Sequence, residues 1–251
     1  MILPNPKNAK HKAWLYRLLS AIYDDSFLAG ALYFKGGTCA AMRGFLDRFS
    51  VDLDFDYVKP PKDLEKTQKR LETIFKNLGL GIKDKSQKVP QYFLKYPAKA
   101  NERNTLKVDV AMPPQKFNQY EPARLTEIDR IVRCQTIGTM FANKLVALIE
   151  RWERNNSIAG RDLYDAHYFF INGFRYDEKI IIERRRQTLP TFLKQLIKFV
   201  EKEITQTVID QDINALLPPD KFQKIRKVLK PEVLMFLNDE LKRLTSAKPP
   251  K

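Results

Sequence analysis

The sequence predicts an α+β fold: a mixed sheet flanked by helices, followed by a mainly helical C-terminal lobe. Three observations carry that expectation. Up to about residue 134, short apolar segments of strand character alternate with helical periodicities. From Ile137 onward the patterns are helical, interrupted at prolines. The chain has 251 residues and 43% apolar content, enough to bury a sizeable core in two lobes or one large domain. The expected division is 1–134 and 135–251.

The elements follow in order. Leu15, Leu18, Leu19 and Ile22 recur at helical spacing, which predicts an amphipathic helix over residues 10–24. Ala29–Phe34 is a short apolar strand leading into Gly36-Gly37. Thr38 is placed to cap a helix running to about Leu46. Ser50–Val58 alternates as a strand and is stopped by Lys59-Pro60-Pro61. Leu64, Leu71, Ile74, Phe75 and Leu78 stripe a helix over 63–78 that Gly79 and Gly81 end. Gln91–Tyr96 and Thr105–Val110 read as strands joined by polar residues 97–104, and a further strand is expected near Ile128–Val132. Ile137–Arg154 and Arg161–Ile171 are helices. The helical remainder breaks at Pro190, Pro218-Pro219 and Pro231, and 248–251 reads as a frayed tail.

Lys and Arg number 45 and Asp and Glu 30, a balance of 45 − 30 = +15. The excess is spread along the chain, which fits a folded basic surface and a polyanionic partner better than a basic tail. Cys39, Cys134, His11 and His167 are the only soft ligands, too few for a zinc site of ordinary spacing. The opening residues lack the apolar run of a secretory signal. No segment approaches the roughly 20 apolar residues of a membrane span. A cytoplasmic protein with reduced thiols and no membrane contact is the expectation.

Chemistry concentrates in two stretches. Lys35-Gly36-Gly37-Thr38 is a glycine turn opening a helix, where backbone N–H groups favour phosphate. Ser50-Val51-Asp52-Leu53-Asp54-Phe55 puts two carboxylates on one strand face and its apolar residues on the other. Like charges side by side call for a cation such as Mg²⁺. Lys107-Val108-Asp109-Val110 supplies a third carboxylate if its strand lies near the first. Asp52, Asp54 and Asp109 are then candidates to hold two Mg²⁺ or Mn²⁺ ions that activate a hydroxyl and stabilise a leaving pyrophosphate. Asp56 shares the face but lies further along, and a hydrogen-bonding role is expected for it. Arg48 and Ser50 either bind phosphate or hold the turn so that Gly37 faces Asp52. His167, Trp152 and Tyr168-Phe169-Phe170 read as packing.

The glycine pair, the Asp-x-Asp strand and a separate apolar-Asp-apolar strand resemble the DNA polymerase β-type nucleotidyltransferases. Phe34-Lys35-Gly36-Gly37-Thr38 with Arg48-x-Ser50-x-Asp52-Leu53-Asp54-Phe55 is similar, more narrowly, to the AbiEii/AbiGii nucleotidyltransferase toxins. Lys144-x-x-Ala147-x-x-x-Arg151 followed by Arg161-Asp162-x-x-Asp165 resembles their second signature, and the likeness runs over residues 13–170. It implies an N-terminal nucleotidyltransferase lobe and a helical lobe completing the nucleotide and acceptor sites. Lys35, Gly36, Gly37, Thr38, Arg48 and Ser50 would bind nucleotide. Lys144 would contact the triphosphate, and Asp162 or Asp165 would lie close to the reacting groups. Arg151 and Asp165 are either ligand contacts or scaffold.

The resemblance further implies NMP transfer from an NTP to an acceptor hydroxyl. RNA is the expected acceptor, notably the tRNA 3′ end, in a toxin or phage-defence role restrained by a cognate antitoxin. The alternative is a non-catalytic nucleotide- or RNA-binding protein on the same fold, for which the three carboxylates have no use.

Overall fold

The computed structural model describes residues 1–86, 88–99 and 102–246. The expected tail at 248–251, and residues 100 and 101 of the expected polar connection, lie outside the described residues. The chain divides into two compact units. One comprises Met1–Pro114 with Asn118–Thr136, the other Gln115–Phe117 with Ile137–Lys251.

The first unit is built on a mixed sheet. Its strands are β1 (Leu32–Lys35), β2 (Asp52–Tyr57), β3 (Gly81–Lys85), β4 (Tyr92–Lys95), β5 (Thr105–Ala111), β6 (Tyr120–Leu125) and β7 (Arg130–Gln135). Their spatial order is β3-β4-β5-β2-β1-β7-β6. The β2/β5 and β1/β7 pairs are parallel and the other pairs antiparallel. Helices α1 (Ala9–Asp24), α2 (Ser26–Ala29), α3 (Gly36–Met42) and α4 (Leu64–Asn77) complete the unit. Leu53 and Phe55 project from β2 into the core, where Phe55 meets Phe34 of β1 at 5.5 Å and Tyr23 of α1 at 6.4 Å between ring centroids. Phe75 of α4 packs edge-on against Tyr92 of β4.

Several expectations change in detail. The segment before β1 opens as the short helix α2, because Asp25 accepts the N–H groups of Phe27 at 2.9 Å and Leu28 at 3.0 Å. Thr38 does not cap α3. The helix starts at Gly36 and stops at Met42, and the Thr38 hydroxyl donates instead to Asp52 O at 2.5 Å. Gly81 starts β3 rather than ending α4, and all five β3 residues are exposed. Residues 120–135 form a hairpin, not one strand. Its turn places Asp129 at φ 50°, and Pro122 is tolerated because β6 is an edge strand.

The second unit is helical: α5 (Ile137–Asn155), α6 (Gly160–Ile171), α7 (Glu178–Arg185), α8 (Leu189–Glu203), α9 (Gln206–Ile213), α10 (Pro219–Ile225) and α11 (Leu229–Ser246). Phe141 is a hub of its core, 4.8–5.5 Å from the rings of Phe170, Phe169 and Tyr176. The helical pattern is interrupted near Pro190, Pro219 and Pro231, and each of these prolines lies in the first turn of the helix that follows. Pro190 and Pro219 occupy first-turn positions of α8 and α10, and Pro231 lies in the first turn of α11, where a missing N–H costs nothing. Gln115–Phe117 join this unit through the Lys116 and Phe117 N–H groups, which donate to Glu183 at 2.7 and 3.0 Å.

Candidate active site

Parallel pairing of β2 with β5 sets Asp54 directly opposite Asp109 and Asp52 opposite Lys107. Antiparallel pairing of β2 with β1 sets Lys35 opposite Asp54 on its other side. Neighbouring strands lie about 4.8 Å apart and paired residues share a face. Lys35, Asp54 and Asp109 therefore form one row across three strands, and Asp52 projects beside it. Asp52 and Asp54 are half-buried, while Leu53 and Phe55 between and beyond them are fully buried.

The glycine turn closes onto this row. Gly36 has φ +78°, and a Cβ there would lie 2.2 Å from Asp54 Oδ2. Only glycine accepts both the backbone conformation and the approach of the carboxylate. At Gly37 a Cβ would lie 2.7 Å from Arg48 Nη2 and 3.0 Å from Ser50 Oγ. Arg48, 2% exposed, also donates Nη1–H to Phe49 O at 2.8 Å. Arg48 and Ser50 thus pack against the turn. The Thr38–Asp52 bond ties the same turn to the start of β2.

Asp109 accepts from the Lys107 ammonium and from Gln91 Nε2 at 3.2 Å. Among the described residues no three His, Cys, Asp or Glu side chains are gathered as a metal-binding group. Asp56 is 1% exposed. It accepts from Lys35 Nζ at 2.7 Å, Tyr120 Oη at 2.7 Å, Gln135 Nε2 at 2.6 Å and Asn118 Nδ2 at 3.1 Å. Its role is structural hydrogen bonding, and it fixes Lys35 on the carboxylate face. Burial, then the Asp56 charge, pushes the Tyr120 hydroxyl well above the usual phenol range, so it stays a donor. Sequence reasoning missed Tyr120, Asn118 and Gln135, because the hairpin that carries two of them had no clear periodicity.

Behind β2, His11 lies between Tyr96 Oη at 2.8 Å and Val51 O at 2.9 Å. Burial, with a smaller contribution from Arg103, lowers its pKa to about 4 against the hydrogen bond to Val51, which raises it. Cys39 and Cys134 are both buried and unbridged. Burial and then contact with Cys134 push the Cys39 thiol well up, so it is no nucleophile.

In the second unit α5 and α6 place a buried charge cluster. Lys144 Nζ lies 2.6 Å from Asp162 and 2.8 Å from Asp165, both carboxylates fully buried, and Arg151 Nε lies 2.8 Å from Asp162. Burial alone would raise the Asp162 pKa, but Lys144 and Arg151 together hold it far below the usual carboxylate range. His167, 3% exposed, pairs with Glu232 at 2.5 Å and packs on Phe236, and Trp152 packs on Phe199. These are packing residues, as the sequence suggested.

Known proteins share the family and the fold of this chain. The family model described as nucleotidyl transferase AbiEii toxin, type IV toxin–antitoxin system, matches residues 17–233. Among solved structures, two Helicobacter pylori proteins share the fold at 19% identity. One superposes with a TM-score of 0.61 over 98% of this chain and 100% of its own. The other, JHP933, has a TM-score of 0.52 over 98% and 99%. MenT4, the nucleotidyltransferase toxin Rv2826c of Mycobacterium tuberculosis, shares 16% identity and a TM-score of 0.52 over 96% and 88%. A search of curated proteins returns no match. No helix among the described residues is long and apolar enough to cross a membrane.

Proposed function

The chain belongs to the AbiEii family of nucleotidyl transferase toxins, and from that membership we propose that it moves an NMP from an NTP onto an RNA hydroxyl, the tRNA 3′ end foremost. The observation that carries this reading is the row Lys35–Asp54–Asp109 under the Gly36 turn. Family membership implies a nucleotide substrate and an antitoxin partner. Growth inhibition or phage defence in the cytoplasm is the corresponding role.

The donor chemistry of three carboxylates suits a hard divalent cation, although among the described residues they are not drawn together as a metal-binding group. Asp52 and Asp54 offer carboxylate oxygens on one half-buried face, Asp109 stands opposite Asp54, and oxygen is what Mg²⁺ or Mn²⁺ takes. These three carboxylates would hold it, as one ion or two. Bound there, it would supply neutralisation of phosphate charge and a more acidic acceptor hydroxyl.

The protein's own residues do the rest. The Gly36 and Gly37 backbone admits the phosphates, and Thr38 fixes that turn against Asp52. Lys35, held by Asp56, adds positive charge beside Asp54. Within the second unit Asp162 and Asp165 hold the Lys144 ammonium, and Arg151 holds Asp162. The acceptor oxygen forms a bond to the α-phosphorus, the α–β bridging bond breaks, pyrophosphate leaves with that electron pair, and the hydroxyl proton passes to solvent. Positioning and charge neutralisation supply the acceleration.

The test is label transfer from each of the four α-labelled NTPs to total RNA and to protein, with Asp52→Ala as control. Labelled RNA with the native protein and none with the variant supports the reading. Nucleotide binding without pyrophosphate release would instead identify a non-catalytic binding protein.

A further inference from the structure

We propose that the outer face of α4, together with Phe27 of α2, is a docking surface for the phosphate backbone of the RNA acceptor. The inference rests on the assignment of RNA as acceptor. Lys62, Lys66, Lys69 and Arg70, with Glu65 and Thr73, line an open cavity of about 390 Å³. Glu65, Lys66, Lys69, Arg70 and Thr73 recur on α4 at short helical intervals and share one face, and Lys62 lies in the 3-10 turn Pro61–Asp63 that leads into it. The buried residues Thr67, Leu71 and Phe75 lie on the other.

Phe27 gathers cations at the edge of that face. Lys66 Nζ lies 4.4 Å from its ring centroid, Arg70 Cζ 5.2 Å and Lys59 Nζ 5.3 Å. The ring's negative face holds such cations in place without neutralising them. Two carboxylates lie among the five cations: Asp25 on Arg70 and Glu65 on Lys69, each at 2.6 Å. The patch therefore carries 5 − 2 = +3, and concentrated like charge at a surface calls for a polyanion.

Two features select RNA over an acidic protein. The residues lining the cavity are polar or charged, with no apolar anchor among them. Protein interfaces are depleted in lysine and centred on aromatic and apolar side chains. The position of the patch points to a long ligand. Phe75 of α4 packs on Tyr92, Tyr92 pairs with Val108, and Val108 pairs with Leu53, so α4 covers the sheet face opposite Asp52, Asp54 and Asp109. A helix layer about 10 Å thick and the sheet separate the two. A mononucleotide cannot touch both, whereas an RNA tens of ångströms long can run round the unit.

The experiment compares the native chain with the triple variant Lys62→Ala, Lys66→Ala, Lys69→Ala. All three side chains are exposed, and the charge reversal Lys62→Glu with Lys66→Glu serves as a second variant. Binding of fluorescent total tRNA is titrated across salt. The expected result is at least tenfold weaker binding by the triple variant and a salt slope shallower by roughly 2–3, one lost cation counting for 0.7–0.9. Pyrophosphate release with a short single-stranded RNA acceptor should keep its kcat, while KM rises for whole tRNA. Unchanged tRNA affinity and slope in both variants would overturn the proposal. So would lysine-dependent binding of polyglutamate as tight as that of tRNA, which would assign the surface to an acidic protein. If the native chain releases no pyrophosphate with any RNA, the functional reading fails. The tRNA titration still decides the docking surface.

Discussion

Asp54 of β2 and Asp109 of β5 stand directly opposite each other across a parallel strand pair. Fifty-five positions apart in sequence (109 − 54), they become lateral neighbours through this register alone. Lys107, on the same face as Asp109, makes an ion pair with it.

Lys107 should therefore compete with a divalent cation. Replacing it with Met removes the competing ammonium but keeps the stem. We expect the Mg²⁺ concentration for half-maximal transfer to fall by about three- to tenfold, the effect of removing one adjacent positive charge. A metal titration of pyrophosphate release reads this directly. A higher Mg²⁺ requirement would mean that Lys107 serves the phosphates instead.

Gly36→Ala should abolish transfer. The added methyl meets the Asp54 carboxylate at 2.2 Å and the residue keeps φ +78°. The backbone conformation alone costs about 1 kcal/mol for a residue with Cβ. Thermal unfolding combined with an activity assay should show a small loss of stability and a large loss of rate.

Asp56→Ala removes the acceptor of four hydrogen bonds and leaves buried donors unmatched. The expected cost is about 3 kcal/mol, read as a lower denaturant midpoint. Lys144→Met should cost about 3–5 kcal/mol, because it strips the ammonium from two fully buried carboxylates. Activity lost at Lys144 must therefore be measured under conditions where the variant is folded.

His11 makes stability depend on pH in a defined direction. Its folded pKa, about 4, is below the unfolded value of 6.5. The unfolded chain then binds a proton that the folded chain refuses. The contribution is complete above pH 6.5 and is lost as pH falls toward 4, reaching up to about 3 kcal/mol. Urea midpoints between pH 7 and 4 should fall more steeply for the native chain than for His11→Gln.

The sequence made the carboxylate strand, the glycine turn and the helices with strong apolar stripes legible, since each carries its period in side chains that enter a core. Asp109 was recognisable because Val108 and Val110 flank it as an apolar strand. β3 was not, for its five residues are all exposed and leave no alternation. The β6–β7 hairpin was hidden by Pro122, which an edge strand accepts. The Asp56 cluster was equally hidden, because Tyr120, Asn118 and Gln135 meet it only through tertiary pairing. Lys144 and Asp165 were visible as a helical pattern, but their mutual burial was not, since spacing reports a face and not what covers it.

The most direct test of the account is pyrophosphate release by purified protein given each NTP, Mg²⁺ and tRNA, with Asp54→Asn beside the native chain. The account predicts release with the native chain and a loss of at least 100-fold in the variant, roughly 3 kcal/mol of transition-state stabilisation, with unfolding unchanged. Equal rates from the two proteins would contradict it.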